Sequence, residues 1–161
     1  MTDSFLALLL LFGTGYAILI GIFTYGYFKI PEYHREKLQE IVSVSVVIAV
    51  RNESENIQKL LEGLARQLTE NIYYEVIVVN DHSTDDTISL IRSFQDQKPN
   101  FNLRIIEADH GQEGKKVALS KGILSAKGTL VLTTDGDCHM DLEWVSGYAS
   151  YYAKYKPKII S

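Results

Sequence analysis

Four apolar runs limit what this chain can fold into. Residues 44–50, 74–79, 103–106 and 129–134 are rich in β-branched residues and mostly lack the polar alternation of a half-exposed strand. Runs of that kind read as strands buried on both faces of a sheet. Between them, apolar residues recur at helical spacing. Ile57, Leu60, Leu61, Leu64 and Leu68 follow the first run, and Ile88, Ile91 and Phe94 follow the second. Residues 52–55 and 83–86 offer capping boxes ahead of these two helices, and Pro99-Asn100 breaks the second. A third helix over 114–126 turns Leu119, Ile123 and Ala126 inward and stops at Gly128. Asp141 caps a last helix carrying Trp144, Val145, Tyr148 and Tyr152. Strands alternating with helices over short connections imply right-handed crossovers. The fold class is therefore α/β and Rossmann-like, a mainly parallel sheet flanked by helices.

In open parallel sheets, ligands sit at the carboxyl ends of the strands. Here those ends carry Arg51-Asn52-Glu53, Asn80-Asp81, Asp109-His110 and Asp135-Gly136-Asp137. Two carboxylates one residue apart repel unless a cation, hydrogen bonds or water offset them. A hard divalent metal that also holds a phosphate does so with one or two carboxylates; a solvated Asp-Gly turn is the alternative. The glycine-rich phosphate loops are missing. No G-x-G-x-x-G follows the first strand, and Gly114-Lys115 lacks the earlier glycine of a Walker loop and has Lys116 where Ser or Thr belongs. A phosphate ligand would then rely on a metal, aided by Lys115 or Lys116. A net charge of −4 and the lack of a basic run exclude the electrostatic footprint of a nucleic-acid binder.

Other polar and aromatic residues have plainer readings. Asp81 also fits an Asx-turn and Glu53 a helix N-terminus. His110 and His139 have no paired spacing for zinc. Cys138, the sole cysteine, precludes an intramolecular disulfide and reads as a small packed residue. Trp144, Tyr148, Tyr151 and Tyr152 fit packing better than sugar stacking.

Residues 5–28 carry no charge, and about 24 residues at 1.5 Å each would span a bilayer. Tyr25, Tyr27 and Phe28 sit at one end as interfacial aromatics do. No basic residue precedes the run and no small-residue cleavage site follows it, which disfavours a signal peptide. Lys29, Arg35 and Lys37 after the run, against Asp3 before it, place the following domain in the cytosol. The expected organisation is a single transmembrane helix with its flank (1–30), a charged juxtamembrane linker (31–41) and the α/β domain (42–161).

VSVVIAVRNESENI, VIVVNDHSTDDT, GKKVALSKGI and LVLTTDGDC, in this order and spacing, resemble the donor-binding half of family 2 glycosyltransferases of the GT-A fold. The resemblance covers about residues 42–161. It implies a nucleotide-sugar site of Val50, Asn52, Glu53, Asp81, Lys115 and Asp135. Glu53 and Asp81 would hold the nucleoside, with Asp81 on the uracil edge. Lys115 would lie near the base or diphosphate. Asp135 would face the ribose and metal-bound water, and Asp137, with Asp135, would hold Mn²⁺ or Mg²⁺ across the phosphates. The implied function is a membrane-anchored, metal-dependent transfer from a UDP-sugar to a glycan or lipid-linked acceptor. The chain departs from the usual Asp-Asp-Gly-Ser pattern at Asn80 and His82, and Ser120 stands where Asn is frequent. The acceptor half and its catalytic base are expected beyond Ser161, so 42–161 would be a truncated subdomain that holds donor without turnover. Two rival readings are a non-catalytic membrane-anchored nucleotide-binding or scaffold module, and a D-x-D phosphatase. The phosphatase would need its aspartates after the first strand, not the fourth.

Overall fold

The computed structural model describes residues 2–30, 33–109, 111 and 113–160. His110 and positions 31, 32 and 161 lie outside the described residues. The chain divides into two units, Met1–His34 and Arg35–Ser161. The first contains α1 (Thr2–Phe28), whose side chains from Ser4 onward are all exposed. It is long and apolar enough to cross a membrane.

The second unit runs β1 (Val42–Val50), α2 (Ile57–Ala65), β2 (Ile72–Asn80), α3 (Thr87–Gln97), β3 (Leu103–Glu107), α4 (Lys115–Ser125), β4 (Leu130–Thr134) and α5 (Trp144–Tyr155). The strands form one parallel sheet in the order β3-β2-β1-β4, with Val44 opposite both Tyr74 and Leu130. Side chains alternate across it. Val44, Val46, Ile48 and Val50 join the main core with α2, α3 and α5, while Val47, Ile77 and Val79 pack with Ala118 of α4 on the other face. The reversal of direction explains this placement. The chain winds from β1 outward to β3 and then returns past β2 and β1 to β4, and a right-handed crossover made in the opposite direction must cover the opposite face.

Several local expectations shift. Asn52 has a φ of 56°, outside the extended range of a helix N-cap, and α2 begins five residues later at Ile57. Its side chain instead accepts the Thr84 N–H at 2.8 Å. Ahead of α3 the capping acceptor is Asp85, not Ser83. The Asp85 carboxylate accepts the Thr87 N–H and the Ser54 N–H, both at 3.1 Å, while Ser83 Oγ accepts the Asn52 N–H. Leu68 lies beyond α2 and is exposed; its N–H pairs with the Leu142 carbonyl. On α4 the buried residues are Ala118 and Gly122, and Ile123 is exposed. A β-carbon on Gly122 would stand 2.3 Å from Val47 Cγ1, so small residues let this helix lie close to the sheet. Gly128 ends no helix with a positive φ; it lets the chain pass Ser45, whose N would be 2.5 Å from an added β-carbon. The N-terminus of α5 is capped from afar, as Gln67 Oε1 accepts the Val145 N–H at 2.9 Å.

The segment expected as a linker is tied down over its second half. The Glu36 N–H donates to Ser150 Oγ at 2.9 Å, Lys154 meets the Glu36 carboxylate at 2.6 Å, and Asn71 Nδ2 donates to the Leu38 carbonyl at 3.0 Å. Arg35 pairs with Glu143 at 3.2 Å.

Candidate functional site

Strand β1 lies between β2 and β4, and its two neighbours are reached through connections on opposite faces of the sheet. No helix closes the gap beyond the carboxyl ends at such a switch point, and a crevice results. There a cleft of about 280 Å³ is lined by Ala49, Val50, Arg51, Glu53, Asp81, Lys115, Asp135, Gly136 and Asp137. Four segments that are distant in sequence thus converge. Of the residues implied by sequence, Val50, Glu53, Asp81, Lys115, Asp135 and Asp137 line it together. Asn52 does not; its side chain ties the β1–α2 turn to the β2–α3 turn.

Asp81 is the buried acid of the cleft, 3% exposed. Its backbone N–H carries the β1–β2 pairing one residue past the strand, to the Val50 carbonyl at 2.8 Å. Its carboxylate accepts the Gly114 N–H with both oxygens, at 3.0 and 3.2 Å. His82 Nδ1 lies 3.3 Å and Arg51 Nη1 4.0 Å from it. Arg51 also pairs with Glu113 at 3.3 Å. Gly114, with a φ of 117°, turns the chain so that its N–H meets Asp81 and α4 starts at Lys115.

Glu53 is fixed through its backbone, whose N–H donates to Thr87 Oγ1 at 2.8 Å; its carboxylate accepts Asn56 Nδ2 at 3.3 Å. The side chain lies against Gly136, where an added β-carbon would be 2.9 Å from Glu53 Cγ. The glycine between the aspartates therefore makes room for the acid from β1. Asp135 and Asp137 are exposed on either side of it. Lys115 Nζ meets Asp135 Oδ1 at 2.7 Å, with both side chains more than half exposed. That hydrogen bond, with the charges of Asp135 and Asp137, raises the Lys115 pKa above its ordinary value.

The donor set suits a hard divalent ion. Asp135 and Asp137 offer carboxylate oxygens from one tight turn, and Asp135 already holds a cation in the form of the Lys115 ammonium. Among the described residues, no group of three or more His, Cys, Asp or Glu side chains could hold a metal alone. Two carboxylates completed by substrate oxygens is the usual arrangement for Mg²⁺-like ions at phosphates.

Some acids at the strand ends are engaged elsewhere. Asp109 pairs with Lys121 at 2.5 Å, and Asn80 donates to Glu107 at 2.6 Å while accepting the Ser83 N–H. Trp144 and Tyr148 meet edge to face, 5.6 Å apart, against the main core; Tyr151 packs on Tyr155. Sequence reasoning assigned no part to Arg51, Gly136 or Thr87. Arg51 directly follows a buried strand, where a cation among the acids of that edge was visible in the sequence. Thr87 gave no signal, because its role depends on α3 lying beside the β1–α2 turn.

A family profile described as "Glycosyl transferase family 2" matches residues 45–161. The chain is 36% identical over 102 residues to glycosyltransferase AglE of Haloferax volcanii, an alignment covering 63% of this chain and 33% of that protein. Among solved structures, it resembles residues 1–349 of Staphylococcus aureus TarS in complex with UDP-GlcNAc. There the TM-score is 0.60 and the identity 27%, over 71% of this chain and 32% of the other. It also shares the fold of the mannosyltransferase PcManGT from Pyrobaculum calidifontis, with a TM-score of 0.73 and 24% identity over 88% of this chain and 41% of that one. The chain spans between 26% and 37% of the length of curated relatives such as these.

Proposed function

The chain belongs to glycosyltransferase family 2, and from that premise we propose that residues 42–161 form the nucleotide-sugar-binding subdomain of a membrane-anchored glycosyltransferase. It uses a UDP-sugar, with Mn²⁺ or Mg²⁺, and delivers the sugar to a glycan or lipid-linked acceptor. The observation that carries the reading is the convergence of Glu53, Asp81, Lys115, Asp135 and Asp137 on one cleft at the topological switch point. The UDP-GlcNAc complex of TarS, at 27% identity, supports uridine as the nucleoside. A phosphatase reading loses its ground with the family match.

Each residue has a chemical part. The Asp81 carboxylate, buried and acceptor-only, suits the imide N–H of uracil. Glu53, held at its backbone by Thr87, faces ribose hydroxyls, and Val50 forms part of the floor. Asn52 serves indirectly by fixing the turn that carries Glu53. Lys115, at the N-terminus of α4, presents an ammonium to the diphosphate. Asp137 and Asp135 hold the metal. When bound, the metal supplies Lewis-acid stabilisation for the departing diphosphate. α1 anchors the chain, with the cleft-bearing unit in the cytosol, where nucleotide sugars are made.

Calorimetry with UDP, in Mn²⁺ and then in EDTA, tests this. EDTA and Asp137→Ala are each expected to weaken UDP binding by roughly tenfold or more, since even outer-shell partners of a metal are worth that much. UDP affinity unchanged by either treatment sinks the metal assignment. Equal affinity for UDP and ADP would favour the scaffold reading instead.

A further inference from the structure

The cleft already contains a cation. Lys115 Nζ sits 2.7 Å from Asp135 Oδ1, and no other cationic group lies within 4.0 Å of Asp135 or Asp137 among the described residues. We propose that the Lys115 ammonium is an internal stand-in for the divalent ion, neutralising Asp135 in the free protein and moving to the diphosphate when metal and nucleotide arrive together. This rests on the reading of Asp135 and Asp137 as the metal-holding pair.

The argument is one of competing charges. Two carboxylates on one turn repel, and a nearby cation relieves this. Lys115 is placed to provide it because Gly114 begins α4 beside Asp81, which brings the first side chain of the helix over the end of β4. A metal entering without nucleotide must displace the ammonium from Oδ1. The displaced ammonium would then face a divalent charge with no new anion to meet it. A diphosphate changes the balance, since it offers oxygens to both cations at once. Metal alone should therefore bind weakly, and metal and nucleotide should reinforce each other reciprocally, as linkage requires. Lys115 is a positioning residue for the metal in this scheme, and its long flexible stem allows the move without rearranging α4.

The test uses the full chain in detergent, with Mn²⁺ as the probe and free Mn²⁺ followed by electron paramagnetic resonance. The measurement is made without nucleotide and again with saturating UDP. Lys115→Met is expected to tighten Mn²⁺ binding without nucleotide by roughly two- to fivefold, the range of one exposed ion pair. With UDP present the gain should vanish or reverse. Lys115→Arg keeps the charge and should bind Mn²⁺ alone as weakly as the wild type. A circular-dichroism melt confirms that the variants fold, as expected for an exposed side chain. If Lys115→Met leaves nucleotide-free Mn²⁺ binding unchanged or weaker, while Asp137→Ala still removes it, the stand-in is disproved and the metal reading survives. If Asp137→Ala leaves Mn²⁺ binding intact, the metal reading falls and the proposal falls with it. No measurable Mn²⁺ binding by wild type or Lys115→Met also overturns it.

Discussion

At the scale of single residues, much depends on what stands next to an acid. Gly136 separates the two exposed aspartates, and the space a β-carbon would need is taken by Glu53 Cγ at 2.9 Å. Gly136→Ala should push Glu53 aside. The expected result is several-fold weaker UDP binding in calorimetry with little change in melting temperature, because a partly exposed side chain can move. His82 illustrates how far sequence reached at this scale. A histidine in place of the usual glycine signalled a demanding backbone, and its φ of 59° shows that the left-handed turn is kept. The partner of its ring, the Asp81 carboxylate, was adjacent in sequence. The partner of Asp81 itself, Gly114 N–H, was thirty-three residues away and could not be read. Away from the cleft, the Tyr74 hydroxyl is buried with no hydrogen-bond partner among the described residues, and burial raises its pKa. Removing an unpaired buried hydroxyl costs nothing in lost bonds, so Tyr74→Phe should leave stability unchanged or raise it by about 1 kcal/mol in urea unfolding.

At the scale of elements, the strands were legible and the helix faces only partly so. The runs of valine and isoleucine mark β1 and β2, since short, β-branched runs without polar alternation suit strands buried on both faces. For α4, the apolar pattern suggested Leu119, Ile123 and Ala126 as the inner face. Leu119 and Ala126 do pack, partly buried, on that face and Ile123 is exposed; the fully buried contacts fall to Ala118 and Gly122, because β1 and β2 present Val47 and Val79 there and leave room only for small side chains. Gly122→Val should overpack this contact and destabilise the domain by about 1–3 kcal/mol, measured by chemical unfolding. The start of α3 depends on Asp85, whose pKa is lowered from 3.8 to about 2, first by the hydrogen bond from Thr87 Oγ1. A depressed carboxylate stabilises the fold when ionised. Its contribution is complete above the ordinary value near 4 and is lost as pH falls through about 2. Asp85→Asn should lower the melting temperature at pH 7, and the difference from wild type should shrink as pH is taken from 4 towards 2.

At the scale of the whole molecule, the chain consists of an exposed apolar helix and an α/β unit beginning at Arg35. The ties of Arg35, Glu36 and Leu38 to Glu143, Ser150, Lys154 and Asn71 mean that the unit starts before its first strand. A chain beginning at Arg35 should melt cooperatively by circular dichroism, whereas one beginning at Val42 should melt several degrees lower. Two independent melts at either start would contradict a single core. Sequence alone settled the class of fold, the identity of the strands and the presence of acids at their carboxyl ends. These follow from local rules, the period of apolar residues and the chain reversals that short connections demand. Tertiary structure decided which acids share a cleft. Asp109 lies at the end of β3, an edge strand, and pairs with Lys121, while Asp81, Glu53, Asp135 and Asp137 meet because β1 sits between β2 and β4. Strand order is a long-range choice, fixed by which faces the helices cover, and no residue carries it locally.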